Sequence, residues 1–279
     1  MKTKPKKLVA LVTGASSGIG KATAQLLYQQ GWIVYGLSRS GAVPIGVHAL
    51  RADVTLLEEL RAVVAKIWQQ HGQLDAVVHA AGIGGAGSVE NFPLREARKI
   101  METNFMGALH MAQVVLPYLR EQGAGKLLYI SSIAGLMGIP FHGIYAASKF
   151  AVEGLVESLR LELVDTRVAV VSVCPGDTAT PILTKQYRAR AEDLPLIYRR
   201  NYQHTDQVMA QSVAAGVSAS QVAADILRII KLKSPKVRYA VGEWLQKISP
   251  LLKCWLPMRY FERIMVRYYG LTKREHVQS

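Results

Sequence analysis

Short, almost purely apolar runs alternate with longer amphipathic stretches along most of the chain. The runs at 8–13, 32–37, 47–50, 74–79, 125–131, 167–174 and 237–241 have the composition of strands buried on both faces of a sheet. Between them, a helical period predicts helices over 21–30, 56–70, 93–120, 145–164 and 219–233. Strands separated by helices of this length argue for βαβ units and a parallel sheet. No internal repeat and no low-complexity linker breaks the pattern.

The period is lost between residue 181 and about 218, a stretch rich in Tyr and Arg. Long aperiodic segments in compact domains are usually functional or mobile. Residues 182–217 therefore read either as a lid, with Tyr187, Leu194, Ile197, Tyr198, Tyr202 and Met209 closing over an apolar substrate, or as a purely structural excursion. Residues 244–270 form an aromatic, basic tail interrupted by Pro250 and Pro257. In it Pro257 opens a helix on which Arg259, Arg263 and Arg267 recur every fourth residue, with Phe261, Ile264, Met265 and Tyr268 on the other sides. Such a helix suits the interface of an anionic bilayer, or it packs its apolar face on the domain or on a partner subunit.

With 279 residues, half of them apolar, the chain has material for one sizeable core. The two cysteines, Cys174 and Cys254, cannot build a disulfide framework and fit a reducing compartment. The basic start followed by Leu8–Val12 imitates a signal peptide, but the apolar run stops after five residues at Thr13-Gly14 and reads as a first strand. No apolar stretch approaches the roughly 20 residues of a membrane span, so a cytoplasmic location is expected, with attachment to a membrane surface left open.

The net charge of +14 raises the question of nucleic acid or an anionic membrane. By segment it is +4 for residues 1–7, 0 for residues 8–184 and +10 for residues 185–279. Two-thirds of the chain is balanced, and no nucleic-acid module accompanies the basic ends; no nucleic-acid partner and no metal are expected.

Three groups of residues carry chemistry. Between the first strand and the first helix stands Thr13-Gly14-Ala15-Ser16-Ser17-Gly18-Ile19-Gly20. Gly14 permits a tight turn, Gly18 lets backbone approach a pyrophosphate and Gly20 lets the helix pack closely, while the helix N-terminus offers amide donors. At the end of the second strand, Leu37-Ser38-Arg39-Ser40 has Arg39 where NAD-binding chains carry an acid. An Arg beside hydroxyls suits a 2′-phosphate and hence NADP(H); the alternative is a solvated surface Arg. Third, Ser132 precedes Tyr145 and Lys149, which lie four apart on one helix face. A neighbouring cation lowers a phenol pKa, so Lys149 is expected to bring Tyr145 into the range of proton transfer.

The motifs T-G-A-S-S-G-I-G (13–20), Asp53-Val54, H-A-A-G (79–82), Asn104, S-S (131–132), Y-A-A-S-K (145–149) and P-G-D-T-A-T (175–180) occur in the order found in the short-chain dehydrogenase/reductase family, which the chain resembles over about residues 8–181 and again at 237–241. The resemblance implies a doubly wound Rossmann α/β fold, a seven-stranded parallel sheet with helices on both faces. It divides the chain into a catalytic domain over 1–243 and a C-terminal helical extension over 244–279.

The resemblance also implies a catalytic set of Asn104, Ser132, Tyr145 and Lys149. Tyr145 would protonate the carbonyl oxygen or act as base in reverse, and Ser132 would hydrogen-bond the same oxygen. Lys149 would bind the nicotinamide ribose, and Asn104 would kink its helix around a proton-relaying water. Cofactor contacts would come from Gly14, Ser16, Ser17, Gly18, Ile19, Gly20, Arg39, Ala81, Gly82, Tyr145 and Lys149. Asp53 and Val54 would border the adenine, and Pro175, Gly176, Thr178 and Thr180 the carboxamide. His79 stands where the family commonly has Asn, at a position that steadies the sheet, and is read as structural. A non-catalytic nucleotide-binding regulator is the alternative, and it has no chemical need of all four catalytic residues.

Residues 136–142 lie between Ser132 and Tyr145 and are mostly apolar. With 150–155 they resemble the 17β-hydroxysteroid and retinol dehydrogenase branches, implying a bulky apolar substrate such as a steroid, retinoid or 3-keto lipid. His142 and His204 read either as solvated loop residues or as groups that touch substrate, the first reading being preferred. Ala147, Ala151, Gly154 and Ser158 give helix 145–164 a small-residue face. The resemblance implies that this helix and the one after Asn104 pair across a two-fold axis, so a homodimer or homotetramer is expected.

Overall fold

A computed structural model describes residues 6–180 and 186–272. Seven strands form one parallel sheet: β1 (Val9–Thr13), β2 (Ile33–Ser38), β3 (His48–Arg51), β4 (Ala76–His79), β5 (Gly125–Ile130), β6 (Val168–Pro175) and β7 (Arg238–Val241), in the order β7-β6-β5-β4-β1-β2-β3. In register, Leu11 of β1 lies between Tyr35 of β2 and Val77 of β4. The direction of winding reverses between β1 and β4, which opens a crevice at the carboxyl ends of those strands.

The apolar runs are strands because both sheet faces are covered. Val9 and Leu11 of β1 point into one core with α2 (Leu57–His71), α4 (Gly107–Gln122) and α5 (Gly143–Glu162). Ala10 and Val12 point into the opposite core with α1 (Gly18–Gln29) and α7 (Ala219–Lys231). The start of α7 is set by a capping box, the Ser218 hydroxyl accepting from Gln221 N while the Gln221 side chain accepts from Ser218 N.

Three expectations change. The helix over 93–120 is broken into α3 (Leu94–Met101), a π-helical turn (Glu102–Met106) and α4. The wider turn carries Asn104 inward, where it is buried. Second, the described part of the aperiodic stretch 182–217 is largely helical, α6 (Leu196–Ala215), preceded by Tyr187–Arg188, which pairs with Gly85–Ala86; residues 182–185 lie outside the described residues. No period is visible because α6 buries only Tyr202 and Thr205 fully and leaves Leu196 and Ile197 exposed. Third, the tail is helical as expected, but Pro250 does not interrupt it: α8 (Trp244–Trp255) runs through that residue, and the break falls at Pro257, before α9 (Met258–Tyr268).

Of the two readings of the tail, packing on the domain is realised on one side. Phe261 is buried with Ile133, Met137 and Met265, Lys253 Nζ donates to Leu136 O at 2.7 Å, and His204 Nδ1 lies 2.9 Å from Tyr269 O. The other side presents Trp244, Leu245, Leu251, Trp255, Met258 and Tyr260 to solvent beside exposed Arg259, Arg263 and Arg267. Among the described residues, no helix is long and apolar enough to cross a membrane.

Candidate functional site

The crevice is the mouth of a cavity of about 630 Å³ that runs from the Gly-rich turn after β1 to the tail helices. At one end β1 passes directly into α1. Gly14 has φ +67°, and a Cβ there would sit 2.9 Å from the Ala80 carbonyl carbon and oxygen; a Cβ on Gly20 would sit 2.5 Å from Gly14 O. Only glycine fits either place. Thr13 locks the same junction: its Oγ1 accepts from Ala80 N and Ala81 N, both at 3.1 Å.

Ser17, the residue before α1, makes no side-chain capping bond, and the first turn of that helix holds no acid. The first N–H groups of α1 are thus available to an anion, aided by the helix dipole. Ser16, Ser17, Gly18 and Ile19 line the cavity there, and a Cβ on Gly18 would touch the Thr180 side chain at 3.4 Å from across the gap. Farther out are Arg39, Asp53 and Val54. Arg39 is exposed and, among the described residues, forms no ion pair. Asp53 Oδ1 accepts from Thr55 N at 3.0 Å and Thr55 Oγ1 at 2.9 Å, fixing its turn. Ala81, Gly82, Pro175, Gly176 and Thr178 complete this half of the wall. A narrow, glycine-built trough with helix amides at its centre fits a dinucleotide, with the Arg39 guanidinium at its end.

Ser132, Tyr145 and Lys149 meet at the middle of the cavity. Ser132 follows the end of β5, and its Oγ accepts from Ala134 N at 3.1 Å. Tyr145 and Lys149 project from the first turns of α5. Lys149 is buried, donates from Nζ to Ile130 O at 2.9 Å, and lies 5.8 Å from the Tyr145 ring centre. Its pKa falls to about 8 because burial penalises the ammonium, and Glu153 one turn along works against that fall. Asn104 does not line the cavity but stands behind it. Its Oδ1 accepts from Ile83 N at 2.8 Å, and its Nδ2 donates to Ile83 O and to Ser148 Oγ, both at 2.9 Å. A Cβ on Gly82 would lie 3.2 Å from Asn104 Oδ1 and 3.4 Å from Lys149 Nζ, so these groups converge where the chain leaves β4.

The expected lowering of the Tyr145 pKa by Lys149 is not what the structure has. Burial raises that pKa, the charges of Asp177 and Cys174 push the same way, and the one lowering influence is the Ser132 hydroxyl. Tyr145 is therefore a partly buried phenol that keeps its proton at neutral pH.

On the substrate side, Met137, Ile139 and His142 of the 136–142 loop reach the cavity. His142 is buried and not solvated, with its Nδ1 3.1 Å from Pro140 O; Phe141, at φ +59°, turns away to pack on Tyr198 and Tyr202. His204 is exposed and lies at the end of α9. Of the residues expected to form a lid, only Met209 lines the cavity. Leu194, Tyr198 and Tyr202 pack in a separate cluster with Ala86 and Phe141, Tyr187 packs on Phe92, and Ile197 is exposed. Cover comes instead from Met209 and Val213 of α6 with Leu252, Phe261, Ile264 and Met265 of the tail.

Sequence reasoning missed Ser148, Glu153, Asp177 and Gln246. Ser148 bridges Asn104 and the Tyr145 carbonyl; Glu153 is buried between Arg238, Ser172 and Cys174. The one signal was Asp177, a lone acid inside P-G-D-T-A-T.

Comparison with known proteins agrees in detail. Residues 8–191 match the short chain dehydrogenase family model. The chain is 38% identical over 264 residues to a 3-ketodihydrosphingosine reductase of Bacteroides thetaiotaomicron, covering 94% of this chain and 98% of that protein. It is 30% identical over 272 residues to human 17-beta-hydroxysteroid dehydrogenase type 1, covering 88% and 80% respectively. A crystal structure of a short-chain dehydrogenase from Streptomyces avermitilis superposes with a TM-score of 0.80 at 26% identity, over 96% of this chain and 98% of that one.

His79 is buried at the end of β4, with Nδ1 3.2 Å from Thr13 Oγ1, no partner for Nε2 among the described residues, and Tyr129 edge-on at 5.8 Å. Burial, helped by the Lys149 charge, lowers its pKa from 6.5 to about 3. The unfolded chain takes this proton near pH 6.5 and the folded chain does not, so stability falls on acidification between about 6.5 and 3. Urea titrations at pH 7 and pH 5 of the wild type and His79→Asn should show the difference between them shifting by about 2 kcal/mol in favour of Asn at the lower pH. A difference that does not move with pH would mean that His79 titrates freely in the native state.

Proposed function

The chain belongs to the short-chain dehydrogenase family and is an oxidoreductase; from that premise we propose a narrower activity, hydride transfer between NADP(H) and the carbonyl or secondary alcohol of a long-chain 3-keto lipid. One observation carries this reading: a single cavity joins the Gly-rich turn and Arg39 to Ser132 and Tyr145, then continues between Met137, Ile139, Met209, Val213, Phe261 and Met265. Its far compartment is apolar, and the reductase of 38% identity acts, by its name, on 3-ketodihydrosphingosine. Steroids and retinoids share the apolar character but have less support than this lipid class.

In the proposed mechanism Tyr145 is the general acid. Its raised pKa keeps the phenol protonated until the substrate oxygen acquires negative charge, which suits the reduction direction. Ser132 Oγ hydrogen-bonds the same oxygen and stabilises that charge. Lys149 is held by Ile130 O and stays largely protonated at neutral pH. It binds the ribose hydroxyls and keeps a positive charge behind the phenol as its proton leaves. Asn104 is a positioning residue, fixing Ile83 and, through Ser148, the first turn of α5. NADP(H), when bound, supplies or accepts the hydride, and the apolar cover excludes water from that step. Arg39 is the group we assign to the 2′-phosphate.

The tail serves the same substrate. We assign the exposed aromatic and aliphatic face of α8 and α9, with Arg259, Arg263 and Arg267 beside it, to contact with an anionic lipid surface. The small face of α5 is exposed at Ala147, Gly154 and Ser158, with open space around Gly154, and is assigned to a homodimer or homotetramer contact.

Four measurements test these assignments. Tyr145→Phe should lower kcat for NADPH-dependent reduction of a long-chain 3-ketone by at least about a hundredfold with NADPH affinity nearly intact, and Arg39→Ala should erase a preference for NADPH over NADH. Turnover retained in the first variant, or an unchanged cofactor ratio in the second, would refute the corresponding role. The intact protein should pellet with vesicles rich in phosphatidylglycerol at low salt, and a Trp244→Asp, Trp255→Asp double variant should not; equal pelleting removes the surface assignment. Light scattering at micromolar concentration should give a multiple of the chain mass, and a monomer mass contradicts the α5 contact.

A further inference from the structure

Asp177 is a carboxylate where the cavity has few reasons to hold one. It follows Pro175-Gly176 at the carboxyl end of β6 and lines the cavity together with Tyr145. Its side chain is fixed by one residue of the tail: Gln246 Nε2 of α8 donates to Asp177 Oδ2 at 2.7 Å, and Asp177 N donates to Gln246 Oε1 at 3.0 Å. Both contacts are with a neutral amide. Among the described residues, no Lys, Arg or His forms an ion pair with Asp177.

The second carboxylate on this wall, Glu243 just before α8, adds negative charge. Burial and Glu243 raise the Asp177 pKa to about 6 against the pull of Gln246, and the Asp177 charge in turn raises the pKa of Tyr145 and Tyr269. The group is still mostly ionised at neutral pH, so a partly buried negative charge lies near the proposed general acid, and among the described residues no ion pair balances it. A carboxylate withdrawn even partly from water is stabilised by a cationic partner. An oriented, uncompensated one beside the reaction centre is a receptor for positive charge on whatever enters.

We infer that Asp177, held by Gln246, binds a protonated amine carried beside the reacting carbonyl, so that the enzyme selects long-chain amino ketones over simple ketones. The inference rests on the proposed 3-keto lipid activity and narrows it to substrates with a cationic head and an apolar chain. The ammonium stands against Asp177, the ketone oxygen against Ser132 and Tyr145, and the chain lies between Met137, Met209 and the tail helices. The same pairing removes an unfavourable field from Tyr145, whose ionisation during proton transfer Asp177 otherwise opposes.

The test compares a long-chain 1-hydroxy-2-amino-3-ketone with its des-amino analogue of equal length, both reduced with NADPH. The wild type should prefer the amino ketone in kcat/KM by about tenfold or more, and Asp177→Asn should collapse that ratio mainly through KM for the amino ketone. Asp177→Glu, which keeps the charge, should retain part of the preference. As a measurement independent of the variants, a long-chain primary amine should inhibit the wild type at least about tenfold more strongly than the alcohol of the same length. A wild type that reduces both ketones equally, or an Asp177→Asn variant that slows both by the same factor, overturns the inference and leaves the proposed function standing. A wild type that reduces neither ketone overturns the proposed function, and the inference with it.

Discussion

Everything functional in this molecule depends on the close approach of two chain segments at the carboxyl ends of β1 and β4. The Thr13 hydroxyl holds the backbone of Ala80 and Ala81, while Gly14 and Gly20 leave no room for a Cβ between the Gly-rich turn, α1 and the strand beside it. Because the sheet winds outward in both directions from this seam, the strand ends there cannot be covered by a crossover helix. The cavity is a consequence of topology, and the glycines decide that its floor is backbone and helix amides.

Around the seam the protein tolerates several buried polar and charged groups, and each has a different solution. His79 stays neutral. Lys149 is stabilised by a backbone carbonyl and by the Glu153 charge one turn away, and Glu153 in turn is paired with Arg238 at 2.5 Å. This chain of charges runs from the cavity to the surface, where Arg238 also meets Glu157, so the Lys149 ammonium in the cavity wall is balanced from behind. Asp177, like Asp53 and Glu243 on the same cavity wall, forms no ion pair among the described residues; it differs from them in lying close enough to Tyr145 to raise its pKa and in being fixed on both sides by Gln246.

The tail changes what kind of substrate the cavity suits. The tail helices deepen the crevice: Phe261 is seated against Ile133 and Met137, and Gln246 is latched to Asp177, so the cavity continues into a largely apolar compartment. The same two helices keep an apolar, basic outer surface, so one element lines the substrate compartment on its inner side and carries the proposed lipid contact on its outer side.

The strands, the order of the βα units and the residues of the Gly-rich turn were legible in the sequence, because a strand buried on both faces leaves a contiguous apolar run and a glycine-only backbone leaves glycines at fixed spacing. Ser132, Tyr145 and Lys149 were legible for the same local reason, lying at a strand end and on one helix face. What the sequence did not show are the features set by partners far along the chain. The π turn that carries Asn104 inward, the helix at 196–215, the burial of His142 and the side of the tail that faces the cavity all depend on which surfaces meet. The proton affinity of Tyr145 belongs with them: the spacing to Lys149 suggested a lowered pKa, whereas burial and the carboxylate of Asp177 raise it. Local periodicity and steric need are written in neighbouring residues, while burial and the field at a titratable group are sums over the whole fold, so only the tertiary structure decided them.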